Sequence, residues 1–520
     1  MTTPDSTPAA SDTANIDDSP AADRRQSPTT GPEAWSKRLA DRFALDFGDE
    51  LNQWWDELCQ HSPGPGEFRY PVMPQTLLAT VPDPIWPPLM PPNFLPLVGN
   101  GAGDWLCLRL LDPHVAAQSG RSMDICHWYH GGGDWLPWGD TLSEALLFDW
   151  LLASLPQAER RHAEPASEPA LECESDDPPS HVGSDSPAAW RDHRWGQWVS
   201  SRMPGLNHID WARTKPPSVE TPSVEPPKVH DPNTNDPHQL AAELLSQGVC
   251  EVPIRCQLII DALASPLGGQ ITPQTAHDLG LTWNDWMRWC FDLRMMPSET
   301  AALLQEKLGT PAAAFDPAQQ SWNDVAAHAA VICASHPELS WGHDLLGYTK
   351  WSQGDTAGAE QAFSQAIRCS VFTDQSVRFR THWATSTDGV AKFSARFLAE
   401  MPAGASHPGP PAEADRLGCL PATVDLGTLR EFLGPHRDQD ASSVRQRYSQ
   451  LLVDQAEASD SPETSVRLLY AAGWDLGAEP MRRYGELLDR YIRACRDAGW
   501  TSHERLASVH RGGLKARYNL

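Results

Sequence analysis

The stretch that decides the fold is Phe94-Leu-Pro-Leu-Val98, then Gly99-Asn-Gly-Ala-Gly-Asp104, then Trp105-Leu-Cys-Leu-Arg-Leu-Leu111. Two short apolar runs flank a turn made of residues that tolerate positive φ. This is the pattern of two paired strands. Met123 to His130 predicts a third strand. Thr141 to Leu152 predicts a short helix, through Leu142, Ala145, Leu146 and Leu152. Upstream, Thr30-Gly-Pro-Glu33 reads as a capping box. Trp35, Leu39, Phe43, Phe47, Leu51, Trp54 and Leu58 then recur every three or four residues, so the spacing predicts one amphipathic helix of about 25 residues. Helix, strands, helix within 33–155 is one α+β domain.

The surrounding chain differs in texture. Residues 1–30 are rich in Ser, Thr, Pro, Ala and Asp and predict a disordered tail. Residues 156–237 are acidic and Pro-rich, with Pro217-Ser-Val-Glu220 repeated as Pro222-Ser-Val-Glu225, and predict an extended linker. Trp190, Trp195 and Trp198 form an aromatic island there, and such an island is expected to dock on folded protein. From 238 to 520 the periodicity is mostly helical, which predicts an all-α domain. Its clearest unit is 338–371. Gly347, Ala359 and Ala366 let two antiparallel helices approach, Phe363 fills the gap and Gly354 makes the turn. A looser copy runs from Val466 to Gly499, its second helix carrying Tyr484, Leu487, Leu488 and Tyr491.

Composition narrows the function. The 41 Lys+Arg against 68 Asp+Glu leave a net charge of −27, a field that repels phosphate backbones and argues against nucleic-acid binding. The basic segment from Met481 onward is amphipathic and reads as a solvated helical face. No apolar run is long enough for a membrane span, and no secretory signal is visible. Eleven scattered Cys without a CxxC pair fit reduced thiols, so the expected location is the cytoplasm. The 47 Pro concentrate in linkers, and the 22 Trp supply cores or interfaces.

Residues 81–152 resemble the SUKH superfamily, the family of yeast cell-wall-synthesis regulators and bacterial toxin-immunity proteins. The resemblance rests on the two strands and polar turn of 94–110, on Ile125-Cys-His-Trp-Tyr-His130, and on the closing helix from Leu142 to Leu152. Asp134-Trp-Leu-Pro-Trp-Gly-Asp140 is a Trp-rich departure from the family pattern. The resemblance implies a binding module without a catalytic set. Residues 322–371 resemble a tetratricopeptide-type helical repeat.

Trp128, Tyr129, His130, Trp135 and Trp138, beside Gly131-Gly-Gly133, are the candidate partner-binding residues, because indole and phenol groups on a rim match interface hot spots. The competing reading packs the same rings under the closing helix as core. Gly99 to Asp104 lacks the Gly-Lys-Ser/Thr ending of a phosphate loop and precedes a strand, so it reads as a turn. Cys126, His127 and His130, with Asp124 and Asp134, have the residue types of a metal site, but strand alternation turns His127 away from Cys126 and His130. No catalytic residues, metal ligands or cofactor are assigned. The expected function is a non-catalytic interaction protein, acting as a regulatory scaffold or as an immunity-like protein for a basic toxin. The alternatives are a metal-dependent enzyme seated at Asp124–Asp134, and a helical adaptor that dimerises through its N-terminal domain.

Overall fold

Asn100 organises the central turn: its Oδ1 accepts the backbone N–H groups of Ala102 (2.9 Å) and Asp104 (3.1 Å). Gly101 and Gly103 take φ of 82° and 109°, which glycine reaches without Cβ strain. The flanking runs then pair antiparallel, as the sequence predicts. The computed structural model describes residues 34–61, 66–80, 90–128, 130, 135–154, 193–203, 206, 244–264, 322–368, 441–472 and 480–518. The capping box at 30–33 and the N-terminal tail lie outside them.

The amphipathic stripe is buried as expected, but on a broken helix. Helix α1 (Trp35–Phe43) stops at Ala44, which adopts φ 49°. Asp46 Oδ1 then caps the Gly48 N–H, and α2 (Gly48–Gln53) starts and continues into a wider turn at Trp54–Leu58. The break keeps Leu39, Phe43, Phe47, Leu51 and Leu58 on the core side, and the wider turn buries Trp54 and Trp55 together.

Next come β1 (Tyr70–Pro71), α3 (Pro74–Leu78), β2 (Phe94–Gly99), β3 (Trp105–Leu110), α4 (Pro113–Ser119), β4 (Met123–Trp128), β5 (Trp135–Gly139) and α5 (Leu142–Ser154). The strands form one antiparallel sheet in the order β1-β2-β3-β4-β5. Pro96 has no N–H to give the ladder, and the β2–β3 register shifts just after it. The segment read as a Trp-rich insertion is β5, pairing Trp135 with Trp128 and Leu136 with His127.

Pairing sorts the side chains onto two faces. Trp105, Cys107 and Arg109 stand opposite Trp128, Cys126 and Asp124, on one face. Leu106, Leu108, Ile125 and His127 take the other. Helix α5 closes that second face, with Phe148 edge-on to Trp138 at 4.8 Å, while Phe68 meets His127 at 4.8 Å.

The remaining helices are α6 (Arg194–Arg202), α7 (Glu251–Ala264), α8 (Trp322–Ser335), α9 (Ser340–Ser352), α10 (Thr356–Arg368), α11 (Ala441–Ala458), α12 (Pro462–Ala472), α13 (Pro480–Asp497) and α14 (Thr501–Tyr518). Within the stretch read as linker, α6 docks Trp195 against Trp54 with ring centroids 4.8 Å apart. Trp198 Nε1 donates to Gln53 Oε1 at 3.0 Å. The pair α9–α10 has the expected geometry. Gly354 turns at φ 81°, and a Cβ at Gly347 would lie 2.6 Å from the Phe363 ring. The helical half packs onto the sheet instead of standing apart. Ser502 Oγ donates to the Ala44 carbonyl at 2.5 Å, and the Tyr484 hydroxyl donates to the Met90 carbonyl. One hydrophobic core runs from Leu39 to Leu514.

Candidate functional sites on the sheet rim and beneath the helices

Two places on the sheet gather polar chemistry. The first is the rim at the β2–β3 turn. Asp104 Oδ1 accepts the His130 backbone N–H at 2.9 Å and lies 2.8 Å from His130 Nδ1. His127 Nε2 is 3.9 Å from the other carboxylate oxygen. Burial works to raise the Asp104 carboxyl, but the two imidazoles facing it hold it well below the usual carboxylate range. His130 is raised in turn, chiefly by its bond to Asp104. Its side chain is 54% exposed, and Tyr70 beside the turn is 55% exposed.

The five residues expected to bind a partner divide sharply. Trp128, Trp135 and Trp138 are buried, so the structure takes the core alternative for all three. Trp128 and Trp135 stand on one face because they pair across β4–β5. Trp138 follows Leu136 by strand alternation onto the His127 face and meets His127 at 4.7 Å. Only His130 reaches solvent among the four described, and Tyr129 lies outside the described residues.

The second place is the sheet face carrying Arg109. Its Nε donates to Asp124 Oδ1 at 2.9 Å, its Nη2 donates to Asp124 Oδ2, and its Nη1 reaches Glu338 Oε1 at 2.7 Å. The guanidinium lies 4.5 Å over the Trp135 ring. His336 Nε2 stands 3.5 Å from Asp124. Burial would lower the Arg109 pKa, but Asp124 and Glu338 hold it well up. Burial would raise Asp124, but Arg109 and His336 keep it ionised. Reasoning from sequence missed this network. A lone Arg in an otherwise apolar strand, opposite an Asp on the next strand, is the signal that could have found it.

The metal-type residues do not converge. Asp124 and Cys126 belong to the Arg109 face, His127 to the opposite face, and His130 to the rim; Asp134 lies outside the described residues. Among the described residues no group of three His, Cys, Asp or Glu side chains could hold a metal ion. The buried and half-buried thiols are poor nucleophiles. Burial pushes Cys59 up to about 11 and Cys333 to about 12, and Cys107, Cys126, Cys250 and Cys256 rise as well. No described helix is long and apolar enough to cross a membrane.

The fold and these sites define an antiparallel five-stranded sheet held between helical layers, with charges paired inside and a polar aromatic rim outside. No protein-family model, curated protein or solved structure matches the chain.

Proposed function

We propose that this chain is a non-catalytic protein–protein interaction scaffold of the SUKH type, which holds its partner at the rim formed by Tyr70, the Asn100–Asp104 turn and His130. One observation carries the reading. Both sheet faces are covered by the chain's own helices, while the rim keeps an exposed tyrosine and an exposed imidazole in fixed positions. A rigid aromatic next to a pinned polar group suits an interface hot spot. Tyr70 is held because its ring lies against Gly101, where a Cβ would come within 2.8 Å of it. The tetratricopeptide-like pair α9–α10 adds a second surface. Trp351 is 44% exposed there, its ring 6.0 Å from Tyr348.

The net charge of −27 favours a basic partner such as a nuclease-like toxin, and such binding weakens with salt. The test is affinity capture from native extract with the full chain and its Tyr70→Ala/His130→Ala variant. The expected result is loss of a partner from the variant, with far-ultraviolet circular dichroism unchanged. Equal recovery by both proteins overturns the rim as the site. A single basic partner whose affinity falls with salt marks the immunity version. Several partners, some lost only on Trp351→Ala, mark the regulatory scaffold.

A further inference from the structure

A cavity of about 70 Å³ lies where the end of the sheet meets α12, α13 and α14. Its polar wall is built from Asn93, Arg109, Asp112, Glu338 and Arg467. Asn93 is 7% exposed, and its amide is fixed because Nδ2 donates to the Leu110 carbonyl at 2.7 Å. Its Oδ1 is buried and accepts no hydrogen bond from the described residues. A buried amide oxygen left this way is costly unless something in the cavity donates to it. Arg467 faces the same space. Its Nε and Nη2 are taken by Asp112 at 2.7 and 3.3 Å, and Trp500 lies 5.6 Å beneath the guanidinium. Nη1 bonds to nothing among the described residues and remains for one more acceptor. Asp112 and Glu338 are paired with Arg467 and Arg109, and Leu111, Val115 and Val466 supply an apolar side.

We propose that this cavity is a binding site for a small aliphatic α-amino acid. The carboxylate takes Arg467 Nη1, and the ammonium donates to Asn93 Oδ1. The side chain rests on Leu111 and Val115. Each requirement answers a feature of the wall. An acceptor is needed for the arginine and a donor for the amide oxygen, and Asp112 and Glu338, each already paired with an arginine, leave a balanced wall that suits a zwitterion. The volume holds on the order of five water-sized sites, which fits a short amino acid and excludes a nucleotide. The cavity is closed by residues from both halves of the chain, so occupancy ties the helices to the sheet and raises stability by mass action. The proposal does not depend on the rim reading.

The experiment is isothermal titration calorimetry and thermal unfolding of the full chain at pH 7.5. The probes are glycine, L-alanine, L-valine and L-leucine, with isobutylamine and 2-hydroxy-3-methylbutyrate as controls lacking the carboxylate or the ammonium. The expected result is one-to-one binding of at least one amino acid, a rising unfolding temperature, and at least tenfold weaker binding of both controls. Arg467→Gln should weaken binding at least tenfold. Val115→Trp, at a partly exposed position on α4, should block it while leaving the ligand-free unfolding temperature unchanged. No binding by any of the four amino acids at millimolar concentration overturns the proposal, as solvent would then satisfy Asn93. Binding that survives both substitutions overturns it too, as the site would lie elsewhere.

Discussion

Arg109 on the sheet reaches Glu338 at the start of the α9–α10 unit, 2.7 Å between Nη1 and Oε1, while its other two nitrogens hold Asp124. The guanidinium is therefore both a cross-strand pin and the tie that docks the helical half. Such a cluster repays its desolvation only while every member is paired.

Arg109→Met should consequently destabilise the protein by about 3–5 kcal/mol, because Asp124 is left as a buried charge facing His336 and the Cys126 thiol without its arginine. Arg109→Met/Asp124→Leu should recover most of that loss, since an apolar pair of similar volume removes the unpaired charge. Urea unfolding of the two variants measures both. A cost below about 1 kcal/mol for the single change would show that the cluster is solvated in a way that its burial denies.

Acid sensitivity should begin above the carboxylate range. Burial lowers His503 to about 4, against the opposing pull of Asp112 and the Leu111 carbonyl, and burial lowers His510 to about 3. A histidine depressed in the fold binds its proton in the unfolded chain first. Stability is therefore full above about pH 6.5 and falls as pH drops from there toward 4. For His503 the total is about 3 kcal/mol. Asp104 and Asp124, depressed carboxylates, add their losses only below about pH 4. His130, raised and half exposed, works the other way, and its contribution fades as pH rises. Urea midpoints measured from pH 7 to 4.5 should decline, and the decline should be shallower by about one proton in His503→Gln. Parallel profiles would contradict a neutral buried His503.

Much of the sheet was legible because its signals are local. The Asn100–Asp104 turn and the runs on either side carry their own geometry, and Gly347 facing Phe363 follows from helical spacing. What was not legible depends on long-range contact. β5 was hidden in a Trp-rich segment, because Trp135-Leu-Pro-Trp138 has no clean alternation, and its pairing partner β4 supplies the register. The break after Phe43 was hidden because the hydrophobic period runs through it unaltered, and only Ala44 in the left-handed region betrays it. The rings at Trp128 and Trp135 read equally well as rim or core. What decides is chain from far along the sequence laid over that face, where Glu338 and His336 meet Arg109 and Asp124, and no local pattern encodes it. Arg109 went unnoticed for the same reason, its partner Glu338 lying far along the chain.

The close helix pair should be intolerant of a single methyl. A Cβ on Gly347 would come within 2.6 Å of two Phe363 ring atoms, and Phe363 is fully buried. Gly347→Ala should cost about 1–3 kcal/mol through overpacking, despite alanine's better helix propensity. Adding Phe363→Leu should make the alanine less costly than it is in the wild-type background, giving a favourable coupling energy in a double-mutant cycle. Additive losses would mean that the helices spread to admit the methyl without meeting Phe363.

The docking of α6 is the contact through which an otherwise Pro-rich stretch acquires structure. Trp195 is 2% exposed, its ring edge-on to Trp54, and Trp198 and Arg202 both donate to Gln53 Oε1, at 3.0 and 2.6 Å. Two indoles and a shared amide acceptor anchor nine residues, so the helix should release as a unit when one anchor goes. Trp195→Ala removes a buried aromatic and its edge contact, worth about 3–5 kcal/mol at a core position. The helix borders long stretches of linker composition, so that loss should appear as local opening before global unfolding. Amide hydrogen exchange across 194–202 should accelerate at least a hundredfold in Trp195→Ala, while exchange in β3 and β4 stays at the wild-type rate. Gln53→Ala should produce a smaller acceleration in the same segment, because the indole packing survives. Exchange that rises equally in the helix and the sheet would show instead that α6 is an integral part of the N-terminal core.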